Sequence, residues 1–217
     1  GQGWHRTGSD VDRRSAEWLA DRVKGYGLEP SLQPVDLDRI DPLAGYVEVD
    51  GWRVEGLPIF DGGYTGPEGV VGALGPLGSD AEVGLARVEM VGASDEYRRA
   101  RRSGAHRALV AVTFGGEAGL APSNAPDFLT PFGPPVVQIG SDAWDRLSGH
   151  ASVRSEVRVV SQVERVAATA YNVVAETRGR NGDLAPLVVM TPRSGWWACA
   201  AERAGGIACW LEVLGRL

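Results

Sequence analysis

The residues of this chain that could carry chemistry gather between positions 191 and 203. The stretch contains two arginines, a serine, a glutamate and an adjacent pair of tryptophans: Arg193, Ser194, Trp196, Trp197, Glu202 and Arg203. A guanidinium binds a carboxylate through parallel hydrogen bonds, and an aromatic pair can stack on an apolar or sugar-like ligand or bury at a partner interface. The arginines and tryptophans are therefore the predicted ligand-binding residues, and the glutamate could pair with either arginine. Packing inside the protein is the favoured alternative for the tryptophans, because large aromatics are mostly buried.

Ser194 and Glu202 are the candidate catalytic residues of this stretch. A serine nucleophile needs a base, usually a histidine, within hydrogen-bonding distance and an oxyanion hole, and the sequence identifies neither for Ser194. The Gly-x-Ser-x-Gly elbow is not matched either, because Pro192 and Trp196 occupy its outer positions. A loop serine or a helix cap is therefore the favoured interpretation of Ser194.

The surrounding pattern predicts a strand, a turn, a second strand, a loop and a helix. Residues 172–175 and 187–190 are short apolar runs of the kind that is buried in a two-sided sheet. Residues 180–183 contain Asn-Gly, which favours a turn because it readily adopts positive φ. After Gly195 apolar residues recur at helical spacing: Ala204, Ile207, Ala208, Leu211 and Leu214. A loop at the carboxyl end of a buried strand is where α/β enzymes usually keep their chemistry, so this loop is the candidate site.

The first part of the chain predicts a helix followed by a hairpin. Ser9 or Asp10 can cap the helix, Asp12 suits its positive end, and two glycines end it. The apolar stripe of this helix consists of Ala16, Leu19, Ala20 and Val23. Residues 31–54 resemble strands on both sides of Asp50-Gly51, a strong hairpin signal.

Between positions 66 and 163 the pattern changes to short strands separated by Gly and Pro turns. The predicted strands are 70–73, 83–88, 108–112 and 136–139, and the predicted helices are 95–102 and 141–147. The arginines of the first of these helices are expected to form a solvated face: Arg98, Arg99, Arg101 and Arg102. Residues 152–168 alternate in polarity and predict a half-solvated strand.

The candidate stretch resembles the core of the co-catalytic zinc aminopeptidase family, which includes glutamate carboxypeptidases and the transferrin receptor. In that family an Asn-Val-hydrophobic-Ala strand precedes a partner strand ending in His-x-Asp-Ser, whose His binds zinc, and a later Asp bridges two zinc ions. Here Asn-Val-Val-Ala stands at 172–175, and Pro-Arg-Ser-Gly fills the His-x-Asp-Ser place at 192–195. Residues 199–208 fill the bridging segment, where only Glu202 keeps ligand character. The start of the chain, with Gly-x-His-Arg-Thr-Gly-Ser before a helix, is also similar to the family.

The resemblance implies a scaffold that has lost its metal site. Proline has no side-chain donor atom, so Pro192 cannot replace an imidazole ligand. None of the three histidines, His5, His106 and His150, lies at a ligand position. No metal ligand and no cofactor are therefore predicted, and zinc is expected only if the site is rearranged or completed by other residues.

Residues 66–163 resemble the protease-associated (PA) domain, a lid-like β module inserted in some zinc aminopeptidases. The resemblance rests on a helix, Gly104-Ala105, an apolar strand, Pro134-Pro135 before the next strand, and a capped helix. The predicted class is α/β: a partial zinc-aminopeptidase-like three-layer core with an inserted β-rich PA-like domain. The core is expected to comprise residues 1–65 and 164–217.

The composition of the chain limits the classes of partner that it is expected to bind. The chain of 217 residues is 43% hydrophobic and 23% charged, with a net charge of −6, which disfavours nucleic acid and anionic membranes. It has no apolar run of about 18 residues, so no membrane span is predicted. Cys199 and Cys209 would lie about 15 Å apart along a helix, too far for a disulfide, and are expected to be free, mostly packed thiols. Free thiols and no visible signal peptide favour a cytoplasmic location.

These patterns favour a degenerate, non-hydrolytic relative of the zinc aminopeptidases that binds a peptide, a small molecule or a protein partner. The alternative is an active peptidase or amidohydrolase whose metal site is rearranged or completed by residues outside this chain. A third interpretation is an interaction domain whose main surface is the PA-like module, which predicts that the module alone retains binding. A sheet short of strands exposes its edges, so a homo-oligomer or a longer parent chain is also expected.

Overall fold

The computed structural model describes residues 5–89, 94–179, 183–195 and 203–216. The described part of the chain forms strands and helices in the following order: α1 (Asp10–Lys24), β1 (Ser31–Val49), β2 (Trp52–Pro58), β3 (Val70–Pro76), β4 (Val83–Glu89), α2 (Asp95–Ser103), β5 (Ala108–Phe114), β6 (Val136–Gly140), a 3-10 turn (Ser141–Ala143), α3 (Trp144–Ser152), β7 (Glu156–Val174) and α4 (Gly205–Leu214). This mixed composition confirms the predicted α/β class. Of the described helices, none is both long and apolar enough to cross a membrane.

The strands close into a barrel in the order β1-β2-β6-β5-β4-β3-β7. Strands β3, β4, β5 and β6 form three consecutive parallel pairs. Strand β2 pairs with β6 and strand β7 pairs with β3, both in antiparallel orientation. Strands β5 and β6 are buried almost throughout, which agrees with their continuous apolar sequences. The core cluster combines buried side chains of β1 and of β3 to β7 with Ala143, Leu147 and Ala151 of the α3 region.

The hairpin between β1 and β2 turns at Asp50 and Gly51, as predicted. Both residues have positive φ, 47° and 73°, which is the conformation of a type I′ turn. Val49 therefore pairs directly with Trp52, and the ladder continues to Tyr46 and Glu55. The turn chemistry of two residues thus fixes the register of the hairpin.

The chain forms two compact units. One comprises Gly1–Arg39 with Val166–Leu217, and the other comprises Ile40–Arg165. The predicted insertion at 66–163 lies within the second unit, which also contains residues 40–65. The correspondence of this unit to a PA domain stays a prediction.

The predicted strand at residues 187–190 is wrong. The structure places no strand there, and the four side chains are 90%, 75%, 47% and 82% exposed. An apolar run becomes a strand only when neighbours satisfy its backbone and cover its side chains. In the described part of the chain no strand pairs with this run, so its composition alone misleads.

The predicted short buried strand at 172–175 is also wrong in its burial. Residues 172–174 are the end of β7, a strand of 19 residues that begins at Glu156. Asn172 is exposed and the two valines after it are only half-buried. The half-solvated strand predicted for residues 152–168 therefore continues into this run instead of ending before it.

The last predicted helix is present as α4, but its apolar stripe is not buried. Ile207, Leu211 and Leu214 are half-buried, whereas Ala208 is exposed. Cys209 is a free, exposed thiol, so the expectation that it would be packed is wrong. Cys199 lies outside the described residues.

Candidate functional site

A buried carboxylate lies at the start of α1. The Ser9 hydroxyl accepts a hydrogen bond from the Asp12 amide at 3.2 Å, and the Asp12 carboxylate accepts one from the Gly8 amide at 3.0 Å. This arrangement is a variant of the reciprocal capping box. Gly8 has a φ of 76°, and a Cβ there would lie 3.0 Å from that of Ala168, so glycine is required. The local sequence thus builds a helix start whose third residue, Asp12, is 1% exposed.

Arg193 supplies the counter-charge for Asp12. Its Nη1 lies 2.7 Å from Asp12 Oδ1 and donates to the Asp12 carbonyl oxygen, while Nη2 donates to the Tyr171 carbonyl oxygen at 3.0 Å. The side chain of Arg193 is 10% exposed, so water screens the pair only weakly. The predicted ligand-binding arginine therefore ties α1 to the end of β7, and its role toward a ligand stays a prediction.

Ser194 and Gly195 extend the same attachment. The Ser194 hydroxyl lies 2.9 Å from the hydroxyl of Thr7, and the Gly195 amide donates to the His5 carbonyl oxygen at 2.9 Å. Within the part of the chain that the structure describes, no histidine ring bonds to Ser194. The candidate nucleophile thus has a hydroxyl partner instead of a base, as a loop serine would.

The remaining predicted site residues follow this loop. Trp196, Trp197 and Glu202 lie outside the described residues. Arg203 is half-buried and stands just before α4. The structure therefore brings Arg193 and Ser194 together with residues 5–12, which sequence analysis had treated only as a helix start.

A second buried ion pair lies in the other unit. Arg101 Nη2 donates to both Oδ1 and the carbonyl oxygen of Asp61, each at 2.8 Å, and the side chains are 7% and 1% exposed. The prediction that Arg101 belongs to a solvated helix face is wrong. Tyr97, Ala100 and Arg101 share the buried stripe of α2 at helical spacing, and Asp61 offers a charge partner there.

Two tyrosines lie in the same region of this unit. Burial raises the pKa of Tyr97 to about 12, with the Arg101 charge opposing this shift and the Asp61 charge supporting it. Burial likewise raises the pKa of Tyr64 to about 12, and its hydroxyl donates to the Phe60 carbonyl oxygen at 2.7 Å. Both phenols are therefore neutral at physiological pH, and their surroundings disfavour ionisation.

The histidines do not form a metal site in the described part of the chain. His106 is 2% exposed; its Nε2 accepts from the Gly78 amide at 3.0 Å and its Nδ1 lies 2.7 Å from the Ala81 carbonyl oxygen. Both ring nitrogens are thus used by the backbone. His150 Nδ1 lies 3.0 Å from the Ser155 hydroxyl.

The described residues do not fit the zinc pair of the family that the sequence resembles. Zinc sites need several imidazole, thiolate or carboxylate ligands. Among the residues described, no group of three His, Cys, Asp or Glu side chains lies close enough to hold one metal ion. Pro192 offers no donor atom, and the guanidinium beside it is a cation already paired with Asp12.

A groove beside the β1–β2 hairpin is a further concave surface of the second unit. Its lining includes Trp52 and both acidic and basic residues: Glu48, Asp50, Glu156, Arg53 and Arg158. Glu48 lies 3.9 Å from Arg53 and 3.8 Å from Arg158. Because its lining carries both acidic and basic side chains, the groove does not select a ligand by charge.

The sequence does not identify Asp12, Asp61 and Arg101 as the centres of these clusters. Arg101 could have been found, because it falls on the apolar stripe of its own helix, four residues after Tyr97 and one after Ala100. Asp12 gave only the signal of a helix start. No local pattern distinguishes Asp61, whose partner is forty residues away.

Comparison of the whole fold with solved structures identifies its class. Neither a protein-family profile nor a curated protein sequence matches the chain. A zinc aminopeptidase from Bacillus subtilis superposes with a TM-score of 0.70 at 15% identity, over 99% of this chain and 53% of that one. The fold is zinc-aminopeptidase-like.

Two further structures agree with this result. An aminopeptidase from Aneurinibacillus sp. strain AM-1 gives a TM-score of 0.61 at 17% identity, over 97% of this chain and 54% of that one. A peptidase precursor from Shewanella amazonensis gives 0.55 at 13% identity, over 80% of this chain and 47% of that one. The chain spans about half the length of these proteins, and identities this low support the fold alone.

Proposed function

We propose that this chain is a non-hydrolytic protein of zinc-aminopeptidase-like fold that binds a peptide, a small molecule or a protein partner. The observation that carries the proposal is the pair of Arg193 with Asp12 at 2.7 Å, directly after Pro192. Pro192, which has no side-chain donor atom, stands where the resemblance places a zinc-binding histidine, and the paired cation of Arg193 directly follows it. The loop is held by side-chain and backbone hydrogen bonds, which need no metal.

The anchored loop leads into the predicted ligand-binding residues. Arg193 fixes its beginning, and we assign the ligand contacts to Trp196, Trp197 and Arg203, with Glu202 as a charge partner. Aromatic faces suit apolar side chains, and a guanidinium suits a carboxylate. A short peptide with an apolar side chain and a free carboxylate offers both groups, so a peptide is the preferred ligand class.

Metal analysis and an activity assay test the non-hydrolytic part. The purified chain is measured for zinc by mass spectrometry and then incubated with an aminoacyl p-nitroanilide, with and without added zinc. We expect no stoichiometric zinc and no zinc-dependent hydrolysis. Bound zinc, or hydrolysis that a chelator abolishes, would contradict the proposal.

Tryptophan fluorescence tests the binding part separately. The probe is a dipeptide with an apolar side chain and a free carboxylate, titrated into the native chain and into Trp196→Phe, Trp197→Phe and Arg203→Met variants. We expect weaker binding in each variant. The control is Trp18→Phe on α1, which removes a tryptophan that is 40% exposed and should leave the affinity unchanged. Equal affinity in all variants would show that the ligand site lies elsewhere.

The second candidate function is an active peptidase or amidohydrolase. It is favoured by the fold, which matches zinc aminopeptidases over 99% and 97% of this chain but covers about half of theirs. Under this hypothesis residues outside this chain complete the metal site. The same zinc and hydrolysis measurements decide between the two functions when they are repeated on the native full-length protein.

A further inference from the structure

The second unit contains a histidine that the fold encloses almost completely. His106 lies in the connection between α2 and β5 and is 2% exposed. Its ring packs against β4 at Gly84, where a Cβ would lie 2.7 Å from the ring Cδ2 and 2.8 Å from Nε2. Glycine weakens the interior of a strand, and it often marks a position that another group approaches closely. Strand β4 therefore leaves room, through a glycine, for this imidazole ring.

The two ring nitrogens of His106 have opposite hydrogen-bonding partners. Nε2 accepts from the Gly78 amide at 3.0 Å, and Nδ1 lies 2.7 Å from the Ala81 carbonyl oxygen. An amide can only donate and a carbonyl oxygen can only accept, so Nδ1 carries the proton and Nε2 carries the lone pair. The neutral ring in this one tautomer satisfies both partners.

A second proton on the ring is incompatible with this arrangement. The imidazolium form has N–H groups at both nitrogens, so Nε2 would direct a donor at the Gly78 amide, which is also a donor. The ring and Ala81 are both buried, and a charge without a partner is unfavourable there. Uptake of the proton therefore requires the ring and the turn at residues 77–82 to separate.

The charged groups around the ring do not titrate in the same range. They belong to the turn, to α2 and to the residue beside the ring: Asp80, Glu82, Glu96 and Arg107. The hydrogen bond from Arg154 lowers the pKa of Asp80, and backbone amides, first its own and then that of Ala73, lower the pKa of Glu82. Histidine is the side chain that ordinarily changes charge between pH 5 and 8. A response of the turn in that range would therefore come from the imidazole.

We propose that His106 is an acid-sensitive switch, which holds the 77–82 turn closed while the ring is neutral and releases it when the ring takes up a second proton. The ring holds the turn at two points, Gly78 and Ala81. This turn connects β3 to β4. Its release loosens that connection, while β5 and β6 remain paired along their own ladder.

Hydrogen exchange of the Gly78 amide, followed by NMR on the purified chain, tests the switch. After correction for the intrinsic exchange rate, opening should increase about tenfold from pH 7.5 to pH 5.5. A proton that binds only the open state, at the ordinary histidine midpoint of about 6.5, shifts the equilibrium by this factor. The amides of β5 should stay protected, which distinguishes release of the turn from unfolding of the unit.

His106→Gln should abolish the pH dependence, because the glutamine amide can accept from Gly78 but does not titrate. His150→Gln is the matched control. His150 is the other histidine of this unit, its side chain is 17% exposed, and its Nδ1 lies 3.0 Å from the Ser155 hydroxyl. This variant should keep the tenfold response.

The nitrogen-15 shifts of the wild-type ring measure its tautomer directly, so they test the proposal whether or not His106→Gln folds. We expect a neutral ring protonated at Nδ1 while the turn is closed. A charged ring or an Nε2–H tautomer in the closed state, or Gly78 exchange that does not depend on pH, would overturn the proposal. So would an equal increase in exchange at β5, a tenfold response that persists in His106→Gln, or its loss in His150→Gln.

Discussion

The two units each contain a buried arginine–aspartate pair, but in very different surroundings. Arg101 and Asp61 lie 2.8 Å apart, and Arg193 and Asp12 lie 2.7 Å apart, with all four side chains at most 10% exposed. The first pair lies in the unit with the buried barrel core, and the second in the unit whose last helix has no buried residue. Burial of an ion pair thus does not require a completed apolar core around it.

The partners of the two aspartates also differ. Asp12 Oδ2 accepts from the Gly8 amide, a donor that does not depend on Arg193. In the Asp61 carboxylate, Oδ1 accepts from Arg101 and Oδ2 has no hydrogen bond among the described atoms. A buried charge that loses its only partner costs more than one that keeps a donor. The two pairs are therefore expected to respond differently to the same substitution.

Arg101→Met should have the largest effect. It leaves the Asp61 charge buried and uncompensated, which costs about 3–5 kcal/mol of unfolding free energy. Chemical denaturation measures the loss. Arg98→Met on the same helix is the control, because its pair with Asp95 is exposed and should contribute less than about 1 kcal/mol. Similar losses in both variants would argue against a special role of the buried pair.

The next largest effect should come from truncating a buried apolar side chain, and the same truncation at an exposed position in the other unit should have little effect. Ile139→Ala in β6 removes a side chain that is fully buried and should cost about 2–5 kcal/mol. Leu187→Ala removes one that is 90% exposed and should change stability by less than about 0.5 kcal/mol. Denaturation at a concentration that keeps the chain monomeric compares them. A large loss for the leucine would mean that its run is covered within a single chain.

Arg193→Met should have an intermediate effect. Asp12 loses its counter-charge but keeps the Gly8 amide, so we expect a loss of about 1–3 kcal/mol. The control is Arg216→Met, whose pair with Glu212 is exposed. Loss equal to that of Arg101→Met would show that the amide does not compensate the carboxylate.

The smallest effect should be the loss of folding stability at alkaline pH. Burial holds the pKa of Tyr97 at about 12 in the folded chain, above its ordinary value of 10.0, so the unfolded chain releases this proton first. Stability is fully present below pH 10 and falls as the pH rises toward 12, by about 1–2 kcal/mol. Tyr97→Phe should reduce this fall, with the rest due to Tyr64.

At neutral pH the same substitution separates charge from packing. The Tyr97 hydroxyl has no hydrogen-bond partner among the described atoms, so Tyr97→Phe should be neutral or slightly stabilising. Thermal unfolding at pH 7 and pH 11 measures both expectations. A marked loss of stability at pH 7 would indicate an unrecognised partner for the hydroxyl.

The sequence places the candidate site in one loop, but it does not predict the contacts of that loop. The loop after residue 190 was identified because a glycine, a proline and several polar residues interrupt two apolar patterns. Its attachment to Asp12 and Tyr171 joins residues 181 and 22 positions apart, which no local pattern encodes. For this reason the sequence predicts Arg193 as a ligand-binding residue from its charge alone, and it does not predict the contact with Asp12.

What the sequence determined by itself are the features that depend on neighbours along the chain. The capped start of α1, the Asp50-Gly51 turn and the strands of the barrel follow from side-chain periodicity and φ preferences, which act over a few residues. Only the tertiary structure decided which apolar runs are buried and which charges are paired. Residues 108–114 and 187–190 have similar compositions, but only the first has paired strands on both sides. Burial depends on what the rest of the chain places around a residue, and that is a property of the whole fold.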